Sequence, residues 1–115
     1  MQSPRVPQST TFRGLLFDKD EITLMIAEKE YEAHKNSGLL QGPEIDVGKC
    51  PYRLITFDVV MDPDLIGFMH AVTQTLAAER ISVLPFAAYS RDHIFVQEQD
   101  FEKAMVALNR LKQAS

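Results

Sequence analysis

A cluster of residue types that could perform nucleophilic catalysis occurs once in this sequence. Ser90, Asp92 and His93 lie within four positions of one another. A catalytic triad requires the three side chains to converge in space, whereas neighbours in a turn point in different directions. We therefore interpret the run as a turn between two strands, and we expect no catalytic residue in it.

Carboxylates that could bind calcium occur at Asp18, Asp20 and Glu21. Carboxylate oxygens are ligands that Ca²⁺ prefers. The segment lacks the glycine and the distal glutamate of an EF-hand loop, however. A solvated turn is the simpler interpretation.

The histidines and the cysteine do not form a recognisable metal site either. The histidines are far apart, and no ligand spacing connects them: His34, His70 and His93. The single cysteine, Cys50, excludes an intrachain disulfide, and it lies beside Pro51 in a connector without an adjacent base. We expect neither a bound metal nor a cofactor.

The composition excludes several classes of function. The 115 residues suit one compact domain or two very small lobes. A net charge of -4 without a Lys/Arg cluster argues against binding to nucleic acid or to an anionic membrane. No apolar run is long enough to span a bilayer, and no signal peptide is recognisable. We therefore expect a cytoplasmic protein.

The elements that would position a site lie between 52 and 112. A strand-like run covers 52–60, and Asp62, Pro63 and Asp64 then form a typical helix start. The helix should extend to about Arg80, with an apolar stripe at helical spacing: Leu65, Met69, Val72 and Leu76. Gly67 would fall in its first turn, where glycine is unfavourable. It either permits close packing on the sheet or leaves room for a ligand.

The second half of this segment contains two strands and a final helix. The strands cover 81–89 and 92–97 with a turn at 90–92, and the helix covers 98–112. Its buried stripe should comprise Phe101, Ala104, Met105, Leu108 and Leu111. The order strand, helix, strand, strand, helix predicts an α+β fold with an antiparallel sheet and helices on one face.

The first 51 residues show weaker patterns. We interpret 1–10 as a flexible tail, because it contains prolines and few apolar residues. Strands at 11–17 and 21–27 should form a hairpin, with Ile22, Leu24 and Ile26 alternating. A short exposed helix follows to 36. The expected organisation is tail 1–10, N-terminal lobe 11–36, linker 37–51 and C-terminal domain 52–115.

Two stretches resemble the ACT-domain family, the small-molecule sensing modules of amino-acid metabolism. The first is MDPDLIG at 61–67 with the helix after it, and the second covers 79–104. The sequence is most similar to two-lobed ACT proteins, which include bacterial proteins of unknown role and animal arginine sensors. The resemblance covers 52–111, and the hairpin at 12–27 resembles strands of a preceding lobe.

The resemblance implies a ferredoxin-like βαββαβ arrangement in each lobe and a ligand between lobes or between subunits. The ligand would lie near the first strand–helix loop and the start of the next strand. By position this implies the ligand-binding residues Asp62, Asp64, Leu65, Ile66, Gly67, Ser82, Val83 and Leu84. N–H groups at a helix N-terminus suit an amino-acid carboxylate, and a nearby aspartate could hold the ammonium group.

Compared with that pattern, the expected N-terminal lobe is truncated, and no closing strand is predicted after the last helix. An unpaired sheet edge favours association with another strand. We therefore expect that the hairpin at 12–27 completes the C-terminal sheet, or that two chains pair edge to edge. The expected partners are an amino acid and either a second copy or another protein.

Three functions are compatible with the sequence. The first is a regulatory protein that binds an amino acid and has no activity of its own, favoured by Asp62, Asp64 and Gly67 at the helix start. The second is an ACT-fold interaction module without a ligand. It is favoured because Ala87, Ala88 and Ser90 stand where relatives often carry Ser, Thr and Asp. The third is a small cofactor-free enzyme, for which His70 and His93 are the acid–base candidates.

Overall fold

The computed structural model describes residues 4–5, 12–38, 42, 44–57, 67–88 and 91–114. In chain order these residues form β1 (Pro4–Arg5), β2 (Gly14–Phe17), β3 (Ile22–Met25), α1 (Glu28–Lys35), β4 (Tyr52–Phe57), α2 (Phe68–Ala78), β5 (Val83–Ala87), β6 (Asp92–Gln97) and α3 (Phe101–Ala114). A 3₁₀ turn at Glu98–Asp100 leads into α3. The chain divides into two units. We call Gln8–Lys49 the hairpin unit, and Met1–Pro7 with Cys50–Ser115 the C-terminal unit.

The described strands of the C-terminal unit form one antiparallel sheet in the order β1-β4-β6-β5. Strand β6 lies between β4 and β5, so that Ile94 is opposite Ile55 on one side and Pro85 on the other. The predicted strand at 92–97 is confirmed residue for residue. The α+β class and the βαββα order are confirmed as well.

One face of this sheet carries the hydrophobic core. Alternate residues of the two central strands point toward α2 and α3, and both helices present the described members of the apolar stripe that their periodicity predicts. Leu65 of the predicted α2 stripe lies outside the described residues. The fully buried members are Ile55, Phe57, Val72, Leu76, Ile94, Val96, Ala104 and Leu108. Burial on the scale of 1.5–3 kcal/mol for each large side chain makes this core the main source of stability.

The C-terminus of α2 ends in a Schellman motif. The amide of Ile81 donates to the carbonyl of Leu76 at 3.0 Å, and the amide of Arg80 donates to that of Ala77 at 2.9 Å. Arg80 adopts the left-handed conformation, with φ of 60°, which glycine usually occupies at this position. The motif buries Ile81 and turns the chain directly into β5.

The edge beside β4 is occupied by β1, with Pro4 opposite Phe57 and Arg5 opposite Thr56. Two residues within the predicted flexible tail therefore form a strand. The expectation that the hairpin completes the C-terminal sheet was wrong, because β1 takes that edge and the hairpin forms a sheet of its own among the described residues.

In the hairpin unit, β2 and β3 pair with Leu15 opposite Leu24 and Phe17 opposite Ile22. The acidic segment is the hairpin turn. The amide of Asp18 donates to the carbonyl of Glu21, and the amide of Asp20 donates to Oδ1 of Asp18, both at 2.9 Å. The short helix α1 confirms the prediction for 28–36.

The alternation of apolar residues in the hairpin does not produce a buried face, which differs from the expectation for a half-buried strand. Ile22 is 63% exposed and Leu24 is 49% exposed. Two strands and one short helix contain too few elements to cover both faces of the hairpin. None of the helices in the described part of the chain is long and apolar enough to cross a membrane.

Candidate functional site

Phe57 and Gly67 are the described residues that flank the segment between β4 and α2 in the C-terminal unit. Phe57 is fully buried at the end of β4, and its ring meets Phe68 of α2 edge-on. This contact holds the end of the strand against the start of the helix. Four predicted site residues fall inside the connection and lie outside the described residues: Asp62, Asp64, Leu65 and Ile66.

Gly67 precedes α2 in a left-handed conformation, with φ of 98°. The expectation that Gly67 falls inside the helix was wrong, because α2 begins at Phe68. Close packing does not explain the glycine either, since a Cβ placed there would have no described atom within 4 Å. Its role is conformational, because residues with a side chain rarely adopt this backbone. The predicted helix cap at Asp62 and Pro63 lies outside the described residues.

The N-terminus of α2 differs electrostatically from the starts of the other described helices. Glu28 and Glu30 lie in the first turn of α1, and Glu102 lies in that of α3. The first turn of α2 contains no acidic residue, and Gly67 has no side chain that could cap it. Neither a first-turn carboxylate nor a capping side chain at Gly67 therefore offsets the positive end of the α2 dipole.

The other predicted site residues lie where α2 leads into β5. Ser82 is exposed and directly precedes the strand. Val83 is half-buried and packs against the core, whereas Leu84 points to the opposite face, where it pairs with Phe95. Because Val83 and Leu84 face opposite sides of the sheet, their two side chains cannot line the same small pocket within one sheet.

The structure separates the predicted site residues into two groups. Gly67 precedes α2, whereas Ser82, Val83 and Leu84 follow its end. An 11-residue helix is roughly 16 Å long at 1.5 Å per residue. A ligand the size of an amino acid cannot bridge that distance, so one C-terminal unit does not bring the two groups together.

The candidate acid–base residues have structural roles or lie apart. Nδ1 of His93 lies 2.9 Å from Oγ1 of Thr56 across β6 and β4, and Thr56 is buried. His70 is exposed on α2, and Ser90 lies outside the described residues. The described residues include no group of three or more His, Cys, Asp or Glu that could hold a metal.

Sequence patterns did not identify two residues that shape this region. Phe68 positions the start of α2. The sequence did not single it out, because an apolar residue next to the predicted stripe of this helix is interpreted simply as part of the core. Arg80 forms the turn into β5, and the usual glycine signal for such a turn is absent there. The buried Ile81 directly after a polar pair was the available signal, since a Schellman motif often places an apolar residue at that position.

A solved structure and a family model both match the chain. A crystal structure of a protein of unknown function from Vibrio cholerae, described as a possible transport protein, matches with a TM-score of 0.66. It shares 24% sequence identity over 92% of this chain and 86% of that chain, a likeness that shows the fold. No curated protein matches significantly. The family model described as "ACT domain" matches residues 47–110, more than half of the sequence, and the chain therefore belongs to the ACT-domain family.

Proposed function

We propose that this chain is a regulatory protein that binds a small molecule, most simply an amino acid, and has no catalytic activity of its own. The observation that carries the proposal is the N-terminus of α2. Gly67 supplies no capping side chain there, and the first turn contains no carboxylate. Amide groups at such a helix end bind a carboxylate well.

The ligand would lie between two chains rather than within one C-terminal unit. This follows from the separation of Gly67 from Ser82, Val83 and Leu84 by the length of α2. Under this proposal the helix end of one chain binds the carboxylate. Asp62 or Asp64 binds the ammonium group, and the segment at 82–84 of a second chain closes the site.

A thermal-shift screen of the full chain against the twenty amino acids tests this proposal. A ligand that binds the folded state at a hundred times its Kd adds about 2.7 kcal/mol, which corresponds to several degrees in Tm. We expect one amino acid, or a closely related group, to raise Tm. Changing both Asp62 and Asp64 to asparagine should abolish the rise, and the matched variant Asp46→Asn in the connector should retain it. No response to any amino acid would contradict the proposal.

A second candidate function is an interaction module that does not bind a ligand. The observation that favours it is the exposed apolar face of the hairpin, on which Leu15 and Phe17 are 58% and 70% exposed. Patches of this kind commonly mark protein interaction sites. A chain that binds a protein partner but responds to no amino acid would support this alternative.

A further inference from the structure

The two units contain a corresponding series of elements. In the C-terminal unit, the hairpin of β5 and β6 is followed by a 3₁₀ turn and α3. In the hairpin unit, β2 and β3 are followed by α1. By this order β3 corresponds to β6, and α1 corresponds to α3.

The two units differ in what pairs with the second strand of the hairpin on the side away from the first strand. Strand β6 pairs with β5 on one side and with β4 on the other. Helix α3 contacts β1 and β6, which flank β4, so it lies across β4. Strand β3 pairs with β2, and no described strand lies on its other side. The hairpin unit as described therefore lacks an equivalent of β4.

An open depression lies between β3 and α1. Its volume is about 540 Å³, and its apolar lining consists of Leu24, Ile26 and Ala33. Lys29 and His34 of α1 and the paired side chains of Arg13 and Glu30 also line it. In the C-terminal unit, β4 pairs with the corresponding edge of β6, and α3 contacts the strands on both sides of β4.

The unpaired edge of β3 presents backbone groups that could extend the sheet. The hydrogen bond from the amide of Asp18 to the carbonyl of Glu21 determines which residues of β3 direct their backbone groups toward β2, because these residues alternate along an antiparallel pair. Thr23 and Met25 consequently direct their backbone groups toward β2, and Ile22 and Leu24 direct theirs outward. This strand contains no proline or charged residue, whereas the outer strand β5 contains Pro85.

The hairpin also has an uncovered apolar face beside this edge. Leu15 lies opposite Leu24, and Phe17 opposite Ile22, so the four side chains share one face. They are between 49% and 70% exposed. Pairing of β3 with an identical strand would join this face to an identical one in a single, larger apolar surface.

We propose that β3 pairs with β3 of a second copy of this chain. The two hairpins then form one antiparallel sheet in the order β2-β3-β3′-β2′, with both copies of α1 on the apolar face. Each partner strand enters the depression of the other copy. This arrangement reproduces the four strands and two helices described for the C-terminal unit, and a two-fold axis makes it self-complementary. It goes beyond the proposed ligand-binding function and does not depend on it.

Light scattering of the full chain at increasing concentration tests the proposal. We expect a mass of twice 13.0 kDa for the wild-type chain. Leu24→Pro removes an outward amide from β3 and should give a monomer. The matched control is Leu15→Pro, which replaces the residue opposite Leu24 on the same face. This change affects the outer edge of β2 instead of the edge of β3, so this variant should remain a dimer. A monomeric wild-type chain, a dimeric Leu24→Pro variant, or a folded monomeric Leu15→Pro variant would overturn the proposal.

Cross-linking gives a result even if the proline variants fail to fold. In a Cys50→Ser background, Thr23→Cys and Leu16→Cys place thiols at opposed positions of the hairpin. Position 23 would meet the second copy, whereas the two copies of position 16 would be three strand spacings apart, roughly 14 Å. A short bifunctional thiol reagent should link chains through position 23 and not through position 16. Equal linkage at both positions, or none at either, would overturn the pairing.

Discussion

Phe68, the first residue of α2, packs edge-on against Phe57, the last residue of β4, with ring centroids 5.1 Å apart and ring planes at 84°. The contact fixes both ends of the connection that contains most of the proposed ligand-binding residues. Because Phe57 is fully buried, its contact with Phe68 fixes the start of α2 relative to the hydrophobic core.

Replacing Phe68 with leucine should therefore affect both stability and ligand binding. An edge-to-face aromatic pair contributes about 1 kcal/mol beyond its buried area. We expect Phe68→Leu to lower the free energy of unfolding by about that amount in urea titrations, and to reduce the Tm rise caused by the ligand.

The matched control for this variant is Phe86→Leu. Phe86 makes a similar contact with Phe95, at 5.8 Å and 89°, on the other face of the sheet. Phe86→Leu should lower the free energy of unfolding by a similar amount and leave the Tm rise caused by the ligand unchanged. Equal loss of ligand response in both variants would indicate that Phe68 has no specific positioning role.

Arg80→Gly should stabilise the protein, which is unusual for a change to glycine. Arg80 has φ of 60°, a conformation that costs a residue with a side chain about 1 kcal/mol more than glycine. The same change at Gln74, exposed inside α2, should lower stability by about 1 kcal/mol. Urea denaturation of both variants measures the two opposite signs, and a loss of stability in Arg80→Gly would contradict the assigned turn.

The orientation of α3 can be tested with two residues of that helix. Leu108 is fully buried, whereas Val106 is 50% exposed. Leu108→Ala should lower the free energy of unfolding by about 2–5 kcal/mol, because it removes apolar contacts and leaves a cavity. Val106→Ala should change it by less than about 0.5 kcal/mol. Similar losses in both variants would mean that the helix presents a different face to the sheet.

The pair of Arg13 and Glu30 predicts a small pH dependence in the hairpin unit. Nε of Arg13 donates to both carboxylate oxygens of Glu30 at 3.1 Å, and this hydrogen bond lowers the pKa of Glu30 below its ordinary value. A carboxylate with a lowered pKa stabilises the folded state above its ordinary pKa. That contribution disappears as the pH falls through the lowered pKa. The same bond raises the pKa of Arg13 above its ordinary value, so the arginine stays charged throughout this range.

Hydrogen exchange of the hairpin amides between pH 3 and pH 6 would measure this effect. We expect protection, corrected for intrinsic exchange, to fall toward the acid end. Glu30→Gln should remove the dependence, and Glu32→Gln on the same helix should preserve it. Because the pair is at the surface, the change should be small and should weaken with added salt. Retention of the full dependence in Glu30→Gln would assign it to another group.

The sequence by itself determined the C-terminal unit to a large extent. Periodicity located the stripes on α2 and α3, and the strand at 92–97 was correct to the residue. These features are encoded locally, because a period of two or of 3.6 directly reflects which side of an element faces the core. Resemblance of 61–67 and 79–104 to ACT domains likewise identified the family that the model at 47–110 matches.

Only the tertiary structure decided which strands share a sheet and how far apart the candidate site residues lie. Strand β1 occupies the edge beside β4, an assignment that two residues of a proline-containing segment could not indicate. The left-handed backbone at Gly67 and Arg80 places α2 between the two groups of site residues. Strand pairing and chain reversal depend on contacts between residues distant in sequence, and those contacts leave no periodic signal in the segments that make them.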